Sequence, residues 1–224
     1  MERHFVQQIE LLKSEIIRMG SAAEHMVDDA LRAFLDRSPE AAQAVFQQEH
    51  QVNAYEIGID NSVADMLALH QPVAKDLRFL LAAMKINNDL ERIGDHAVNI
   101  AESAVTYARR PGLSIPADIP QMAQITREML RIVLDGFIHG NPDQCRAVLR
   151  SDDTIDDLNR KIAQDVMAVI KSNPDAIEQA FDLVRVSRNL ERIGDLATNI
   201  AEEVIYYLEA QIVKHQLDRN AASA

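Results

Sequence analysis

The chain has 224 residues, 47% of them hydrophobic and 4% aromatic, with no tryptophan and a formal net charge of −12. This charge argues against nucleic acid or an anionic membrane surface as the main partner, because both require basic patches. No run of about 18 apolar residues and no signal-peptide core is present, which predicts a cytoplasmic protein without direct membrane insertion. The single cysteine, Cys145, excludes an internal disulfide and a cysteine-based zinc site.

Capping and helix-breaking residues divide the first half into three predicted helices. From residue 5 to about residue 36, apolar residues recur every three or four positions, which predicts a long amphipathic helix. Ser38 and Pro39 are start signals for a second helix, which the same spacing extends to about Leu69. Pro72 ends it, and a third helix follows to about Ala108.

The second half repeats this order after a proline-rich segment. Residues 109–120, RRPGLSIPADIP, contain three of the seven prolines, a composition typical of a linker. A fourth helix then covers about residues 122–137, and a fifth begins at Pro142 and runs beyond Val166. A sixth begins at Pro174 and continues to about His215. Sustained alternation of apolar and polar residues is absent, so no sheet is predicted.

These elements predict an all-α fold. Short loops between long helices favour antiparallel neighbours, hence two tandem three-helix bundles of six long helices related by internal duplication. The predicted domains are residues 1–110 and 121–217. A linker at 111–120 joins them, and residues 218–224 form a frayed tail.

One segment occurs twice, at a spacing of one hundred residues. Residues 89–102 read DLERIGDHAVNIAE and residues 189–202 read NLERIGDLATNIAE, so eleven of fourteen positions coincide. Each copy places three carboxylates on one helix face, which costs about 0.2 to 0.5 kcal/mol per like-charged pair unless a cation offsets it. Arg92 or Arg192, a basic partner or a metal ion could do so. The carboxylates are Glu91, Asp95 and Glu102, and Glu191, Asp195 and Glu202.

The second helix of each half carries a matching acidic line. One face holds Glu49, Asn53 and Glu56 in the first half, and the equivalent face in the second holds Asp152, Asp156 and Asn159. In an antiparallel bundle these lines could face the repeated carboxylates, giving one oxygen-rich cluster per half. Such clusters suit magnesium, calcium, manganese or ferric iron. The alternative is a solvated acidic surface.

Each repeated segment also holds a glycine inside a helix, at Gly94 and Gly194. Glycine costs about 1 kcal/mol there relative to alanine. Close approach of another helix, access for an ion or a partner, or simple inheritance by duplication would each explain the pair.

The doubled LERIGD segments, the stretch QPVAKDLR at residues 71–78, and the acidic starts Glu49 and Asp152 together resemble the PhoU family of phosphate-transport regulators. The resemblance covers essentially the whole chain. It implies two three-helix bundles, a cytoplasmic homodimer and no catalytic activity. It also implies an adaptor that links the phosphate ABC importer, through its ATPase PstB, to the sensor histidine kinase PhoR and represses the phosphate-starvation response.

The resemblance further implies a multinuclear metal cluster of iron or zinc, with magnesium or manganese as alternatives. The family pattern of Glu or Asp, three residues, then Asp is met by three pairs and broken at Asn53, so the first half is expected to bind more weakly. The candidate metal ligands are Glu49, Asn53, Glu91, Asp95, Asp152, Asp156, Glu191 and Asp195.

Two other functions remain open at this point. The paired acidic lines could belong to a metal-dependent, carboxylate-bridged enzyme, although Glu-x-x-His pairs are missing. A plain helical scaffold could instead dock a basic partner on the same lines. The adaptor is favoured by the family resemblance, together with a sequence that has no Gly-rich phosphate loop, no G-x-S-x-G elbow and no kinase signature.

Overall fold

The computed structural model describes residues 2–110 and 113–213, and the predicted tail at 218–224 lies outside them. Within these ranges the chain forms α-helices and one short 3-10 helix, with no strand, which confirms the all-α prediction. None of these helices combines the length and apolar character needed to cross a bilayer. The helices are α1 (Glu2–Leu35), α2 (Pro39–His70), α3 (Ala74–Ala108), α4 (Asp118–His139), α5 (Pro142–Leu149), α6 (Asp152–Ser172), the 3-10 helix (Pro174–Ala176) and α7 (Ile177–Glu209).

Two helices start where the sequence predicts, through side-chain caps. The Ser38 hydroxyl accepts a hydrogen bond from the Ala41 amide at 3.3 Å at the start of α2. The Asn141 side chain accepts one from the Asp143 amide at 3.1 Å at the start of α5. Both helices open with proline, whose missing N–H costs nothing in the first turn.

The predicted fifth helix is two helices, α5 and α6. The Ser151 amide bonds the Val148 carbonyl at 2.9 Å, a three-residue spacing that tightens the turn. The Ser151 hydroxyl donates to the Ala147 carbonyl at 3.4 Å and so competes with the helix ladder. Asp152 and Asp153 then occupy the first turn of α6, where carboxylates are favoured by the helix dipole.

Two further boundaries differ from the predictions. Helix α4 begins at Asp118, inside the predicted linker, because Pro120 is compatible with a first helical turn. Helix α7 ends at Glu209, short of the predicted end near His215. Ala210 adopts a left-handed conformation with φ of 57°, which caps the helix without the glycine that usually signals such a stop.

The helices pack as two three-helix bundles, confirming the duplicated architecture. Helices α1, α2 and α3 form the first, whereas α4, α7 and the broken pair α5 and α6 form the second. The bundles join mainly through α3 and α7, which run antiparallel. Lys85 Nζ lies 2.9 Å from Glu203 Oε1 at one end of this seam, and Arg110 Nη2 lies 2.7 Å from Glu178 Oε2 at the other. Buried apolar side chains continue across it.

Candidate functional site

The two helix-interior glycines lie where facing helices approach closely. A Cβ on Gly94 would sit 3.4 Å from Val52 Cγ1 of α2, and one on Gly194 would sit 3.2 Å from Ile155 Cδ1 of α6. The missing side chains therefore let α2 rest against α3, and α6 against α7, at the level of the repeated segment. This is the close helix approach that the sequence offered as one explanation.

We call the four predicted residues of the first half, Glu49 and Asn53 of α2 with Glu91 and Asp95 of α3, the first acidic cluster. Burial raises the pKa of the Glu91 carboxyl, and the charges of Asp95 and Glu56 raise it further. Arg92 lowers the pKa of Glu91 in opposition, and Glu49 acts in the same sense as Asp95. The structure thus brings Glu49, from α2, and Asp95 within electrostatic reach of Glu91 on α3.

The second acidic cluster joins α6 to α7 and consists of Asp152, Asp156, Glu191 and Asp195. Burial raises the pKa of Asp152 to about 6, with Asp195, Asp156, Asp153 and Glu191 contributing in decreasing order. Burial also raises the pKa values of Glu191 and Asp195, and Asp156 adds to both. Asp152 therefore lies within electrostatic reach of the other three predicted residues of this half.

Two arginines of α7 only partly offset this charge. Arg188 Nη1 lies 2.9 Å from Glu191 Oε1, and Arg192 Nη1 lies 3.6 Å from Asp195 Oδ2. The second oxygen of Glu191, Oε2, is buried and accepts no hydrogen bond, with Arg192 Nε at 3.7 Å. A buried carboxylate oxygen in this state is costly and favours a cationic ligand.

In the first repeat Arg92 pairs with Asp89 at 3.7 Å, outside the first cluster. Glu102 of the predicted acidic stripe also lies elsewhere. It accepts a bond of 2.5 Å from Arg185 across the seam between the bundles. Of the predicted stripe in the first repeat, Glu91 and Asp95 lie in the first cluster and Glu102 lies at the seam.

The donor chemistry of both clusters fits a hard cation. Each offers carboxylate oxygens, and the second also has a buried oxygen without a hydrogen bond. In the ranges the structure describes, no group of three or more His, Cys, Asp or Glu side chains is arranged as a ready metal site. The assignment of metal to these eight residues stays a prediction.

His96 of α3 lies at the seam beside the second cluster. Its Nδ1 is 2.9 Å from Asn189 Oδ1 of α7, and burial lowers its pKa. His96 is also close enough to lower the pKa of Asp195. The equivalent position is Leu196, so only the first repeat sends a polar side chain across the seam here.

Three charged neighbours of the clusters were absent from the predicted ligand sets: Glu56, Asp153 and Arg188. Helical spacing places Glu56 on the acidic line, three residues after Asn53, although it was not among the candidate ligands. The same spacing could have found Arg188, three residues before Glu191. Asp153 lies in the first turn of α6, a helix start that the sequence did not predict.

These features define an all-α protein of two three-helix repeats, each with a carboxylate cluster where its second and third helices meet. A family model described as the PhoU domain matches residues 16–104 and 119–204. The chain therefore belongs to the PhoU family.

Named relatives cover nearly the whole chain. A phosphate-specific transport system accessory protein PhoU homolog of Aquifex aeolicus is 35% identical over 210 residues, covering 94% of this chain and 95% of the relative. One of Clostridium acetobutylicum is 31% identical over 210 residues, covering 93% and 96%. The crystal structure of PhoU from Pseudomonas aeruginosa matches with a TM-score of 0.90 at 31% identity, covering 92% of this chain and 100% of that one.

Proposed function

We propose that this chain is a non-enzymatic regulator of phosphate uptake and signalling. The observation that carries the proposal is full-length similarity to proteins named phosphate-specific transport system accessory proteins. The fold agrees with those relatives, since it consists of two packed three-helix bundles.

In this proposal the chain is an adaptor on the cytoplasmic side of the membrane. It acts as a homodimer that contacts the ATPase of the phosphate importer, a PstB-like protein, and a PhoR-like sensor histidine kinase. When phosphate is plentiful it holds the phosphate-starvation response off. A net charge of −12 supports protein partners with basic surfaces over nucleic acid.

The two acidic clusters are proposed to bind metal. A multinuclear cluster of iron or zinc is the first candidate, with magnesium or manganese as alternatives. The second cluster supports this best, because burial and neighbouring carboxylates raise the pKa values of Asp152, Glu191 and Asp195, and Glu191 keeps a buried oxygen without a hydrogen bond. Bound cations would remove the repulsion and stabilise the junction of α6 with α7.

Deletion of the gene tests the regulatory role. A phosphate-starvation reporter should become active in phosphate-rich medium, and the wild-type gene should silence it again. The double variant Asp152→Asn with Asp195→Asn tests whether the second cluster is needed for repression. Asp157→Asn is its matched control, because Asp157 is an exposed carboxylate on α6 that pairs with Arg160 instead. A reporter that stays silent in the deletion strain contradicts the regulatory proposal.

Co-purification tests the partners and the metal together. Tagged protein from cells grown in high and low phosphate should retain the importer ATPase and the kinase, and metals are measured in the same samples. Protein purified without chelator should hold at least one equivalent of a transition metal or of magnesium or manganese. Less than one equivalent of every metal would contradict the metal proposal while leaving the adaptor role standing.

A further inference from the structure

The two repeats carry matching tyrosines near their ends, Tyr107 on α3 and Tyr207 on α7, and the second of these borders a cavity. This cavity, of about 430 Å³, lies between the starts of α1 and α3 and the ends of α4 and α7, and we call it the Tyr207 cavity. Its walls include Phe5, Ile9, Phe79, Phe137, Ile138 and Leu208. The volume falls within the range of pockets that bind ligands, about 300 to 1,000 Å³.

Tyr207 is a buried aromatic residue whose polar group is unused. Its ring meets Phe79 edge-on at 5.6 Å and Phe137 edge-on at 6.1 Å, measured between ring centres. Tyr207 is 6% exposed, and its hydroxyl has no hydrogen-bond partner in the part of the chain that the structure describes. Burial raises the pKa of Tyr207 to about 12, so the hydroxyl stays protonated at neutral pH and can donate. A buried tyrosine hydroxyl usually has a partner, and leaving it without one costs free energy that a ligand can recover.

The internal duplication shows what lies against the equivalent tyrosine. The Tyr107 hydroxyl donates a hydrogen bond of 2.7 Å to the carbonyl of Leu113 in the linker. Arg37 donates to the same carbonyl at 2.6 Å, and its guanidinium lies 4.6 Å from the centre of the Tyr107 ring. The side chains of Leu113 and Ile115 are partly buried against the core. A non-helical apolar segment of the chain therefore covers Tyr107, which is 1% exposed.

Two differences between the repeats leave Tyr207 without such a cover. The turns after α1 and α4 have the same backbone, because Arg37 and Gly140 occupy equivalent positions with φ of 53° and 62°. In each turn the next amide bonds the carbonyl five residues before it at 2.9 Å. Gly140 has no side chain where Arg37 supplies a guanidinium. The linker joins the end of α3 to the start of α4, so it passes Tyr107 and leaves the Tyr207 cavity open.

The charged residues of the Tyr207 cavity do not favour a ligand of one sign. They are two lysines, two carboxylates and one histidine, and one lysine, Lys13, already pairs with Glu10 at 2.9 Å. The apolar lining is more distinctive, since the exposed side chains of Val6 and Ile138 adjoin the buried aromatic rings. Apolar side chains beside a buried aromatic pocket are typical of sites that bind an apolar anchor.

We propose that the Tyr207 cavity binds a non-helical apolar segment of a protein partner. A main-chain carbonyl of that segment accepts the hydrogen bond of Tyr207, as the Leu113 carbonyl accepts that of Tyr107. Its aliphatic side chains pack against Phe79 and Phe137. Main-chain hydrogen bonds combined with side-chain pockets are a common mode of peptide recognition. The inference rests on the proposed adaptor function, which requires a docking site, and it assigns that site to the end of the second repeat.

A peptide copied from the linker tests what the cavity binds. The probe is LSIPAD, the sequence of residues 113–118 capped at both ends, and its counterpart with serine in place of leucine and isoleucine is the control. Both are titrated into the ¹⁵N-labelled full chain and followed by NMR. LSIPAD should shift the amide signals of Gly140 and Tyr207 and bind at least about tenfold more tightly than the control, or about 1.4 kcal/mol. Shifts confined to Arg37 and Tyr107 would mean that the peptide displaces the linker, and would overturn the proposal.

Three variants measure the contacts of the bound peptide. Tyr207→Phe removes only the hydroxyl and should weaken LSIPAD binding about fivefold, or about 1 kcal/mol. Gly140→Arg supplies the guanidinium that Arg37 supplies at the other end, and should strengthen binding about fivefold. Tyr206→Phe is the matched control, because Tyr206 lies beside Lys85 on another face of α7, and it should change binding less than about twofold. Circular dichroism confirms that each variant is folded. Unchanged affinity in both Tyr207→Phe and Gly140→Arg would overturn the proposal.

A cavity-filling variant tests whether a partner uses the site in cells. Ile138→Trp places a large side chain at the cavity and should activate the phosphate-starvation reporter in phosphate-rich medium at normal protein level. Ile57→Trp on α2 is the control and should leave the reporter silent, since Ile57 is 62% exposed, as an apolar surface residue like Ile138 at 46%. A silent reporter in Ile138→Trp would overturn the assignment to a partner.

A second copy of the chain is the competing occupant. Conversion of a dimer to a monomer by saturating LSIPAD would assign the Tyr207 cavity to that copy and overturn the proposal. Failure of these tests leaves the deletion result standing, whereas a silent reporter in the deletion strain with peptide binding intact would refute the regulatory function alone.

Discussion

The two repeats place their acidic clusters alike but charge them differently. In the first, α2 is continuous and contributes Glu49 with the neutral Asn53. In the second, the chain breaks before α6, and Asp152 and Asp156 both carry charge. Only the second cluster has a carboxyl, that of Asp152, whose pKa is raised to about 6. The two repeats share the same helix arrangement, but the second cluster holds more negative charge than the first.

This difference indicates where ligand binding would release most free energy. Like charges held together in a folded protein destabilise it until a cation binds, so the more repulsive cluster gains more from binding. The close contacts at Gly94 and Gly194 bring α2 against α3 and α6 against α7 beside the two clusters. The two repeats thus share one scaffold and differ in the charge of their clusters. Mutation can exchange those charges between the repeats.

The largest expected effect is the loss of tight cation binding when the second cluster is neutralised. Replacing its four carboxylates by Asn or Gln should weaken Mn²⁺ binding by about 100-fold or more, or about 2.7 kcal/mol. Neutralising Glu49, Glu91 and Asp95 should leave the tight sites intact. Titration calorimetry on chelator-treated protein makes the comparison. Equal losses in both variants would show that the repeats do not differ as ligands.

A single exchange should shift the balance between the repeats. Asn53→Asp gives the first cluster the missing charge and should strengthen its Mn²⁺ affinity about tenfold, or about 1.4 kcal/mol. Asp156→Asn gives the second cluster the first one's residue and should weaken it by a similar factor. Calorimetry on both single variants and on the double variant checks this. The idea fails if Asn53→Asp leaves the weaker sites unchanged.

The cation-free protein should lose stability as pH rises through the range of Asp152. The folded pKa of this carboxyl, about 6, lies above its ordinary value of 3.8. The native state therefore holds the proton more tightly, and the free energy of unfolding falls between about pH 4 and pH 6. Solvent screens part of this effect, and the dipole at the start of α6 favours the charged form of Asp152. The expected change in the free energy of unfolding is therefore about 1 kcal/mol.

Urea unfolding of chelator-treated protein, followed by circular dichroism, measures this effect. Asp152→Asn should be more stable than wild type by about 1 kcal/mol at pH 7 and should lose that advantage near pH 4. Glu49→Gln is the matched variant on α2 and should gain less. An advantage of Asp152→Asn that is independent of pH would point to a packing effect instead of a charge effect.

Most of the fold could be predicted from local chemistry. Ser38 and Asn141 cap helices, and those helices begin where the prolines indicate. The break before α6 was missed because apolar spacing continues across it, and Ser151 acts by bonding the Ala147 carbonyl instead of as a cap. The end of α7 was missed because alanine at position 210 gives no signal for a left-handed residue.

The site was predictable only within each repeat. Helical spacing and duplication predict the four residues of each cluster, because shared helix faces depend on local periodicity. The bond of Arg185 with Glu102 and the contact of His96 with Asn189 depend on how α3 and α7 pair. Sequence spacing does not fix that register, so the contacts of the seam are known from the structure alone.

The smallest expected effect separates the two glycines. Alanine in a helix interior is favoured over glycine by about 1 kcal/mol. At Gly94 the new Cβ would meet Val52 at 3.4 Å and Met26 at 3.6 Å, which are ordinary contacts. Gly94→Ala should therefore stabilise the protein by most of that amount. At Gly194 the contact with Ile155 is 3.2 Å, so the gain should be smaller by a few tenths of a kcal/mol.

Relief of that tight contact provides the control. Ile155→Val shortens the facing side chain, so Gly194→Ala should gain more in that background than in wild type. The same change should have no influence on Gly94→Ala, which lies in the other repeat. Thermal unfolding of the four combinations gives the coupling directly. If Gly194→Ala gains equally in both backgrounds, the close approach of α6 to α7 does not limit this position, and the charge of the second cluster alone distinguishes the repeats.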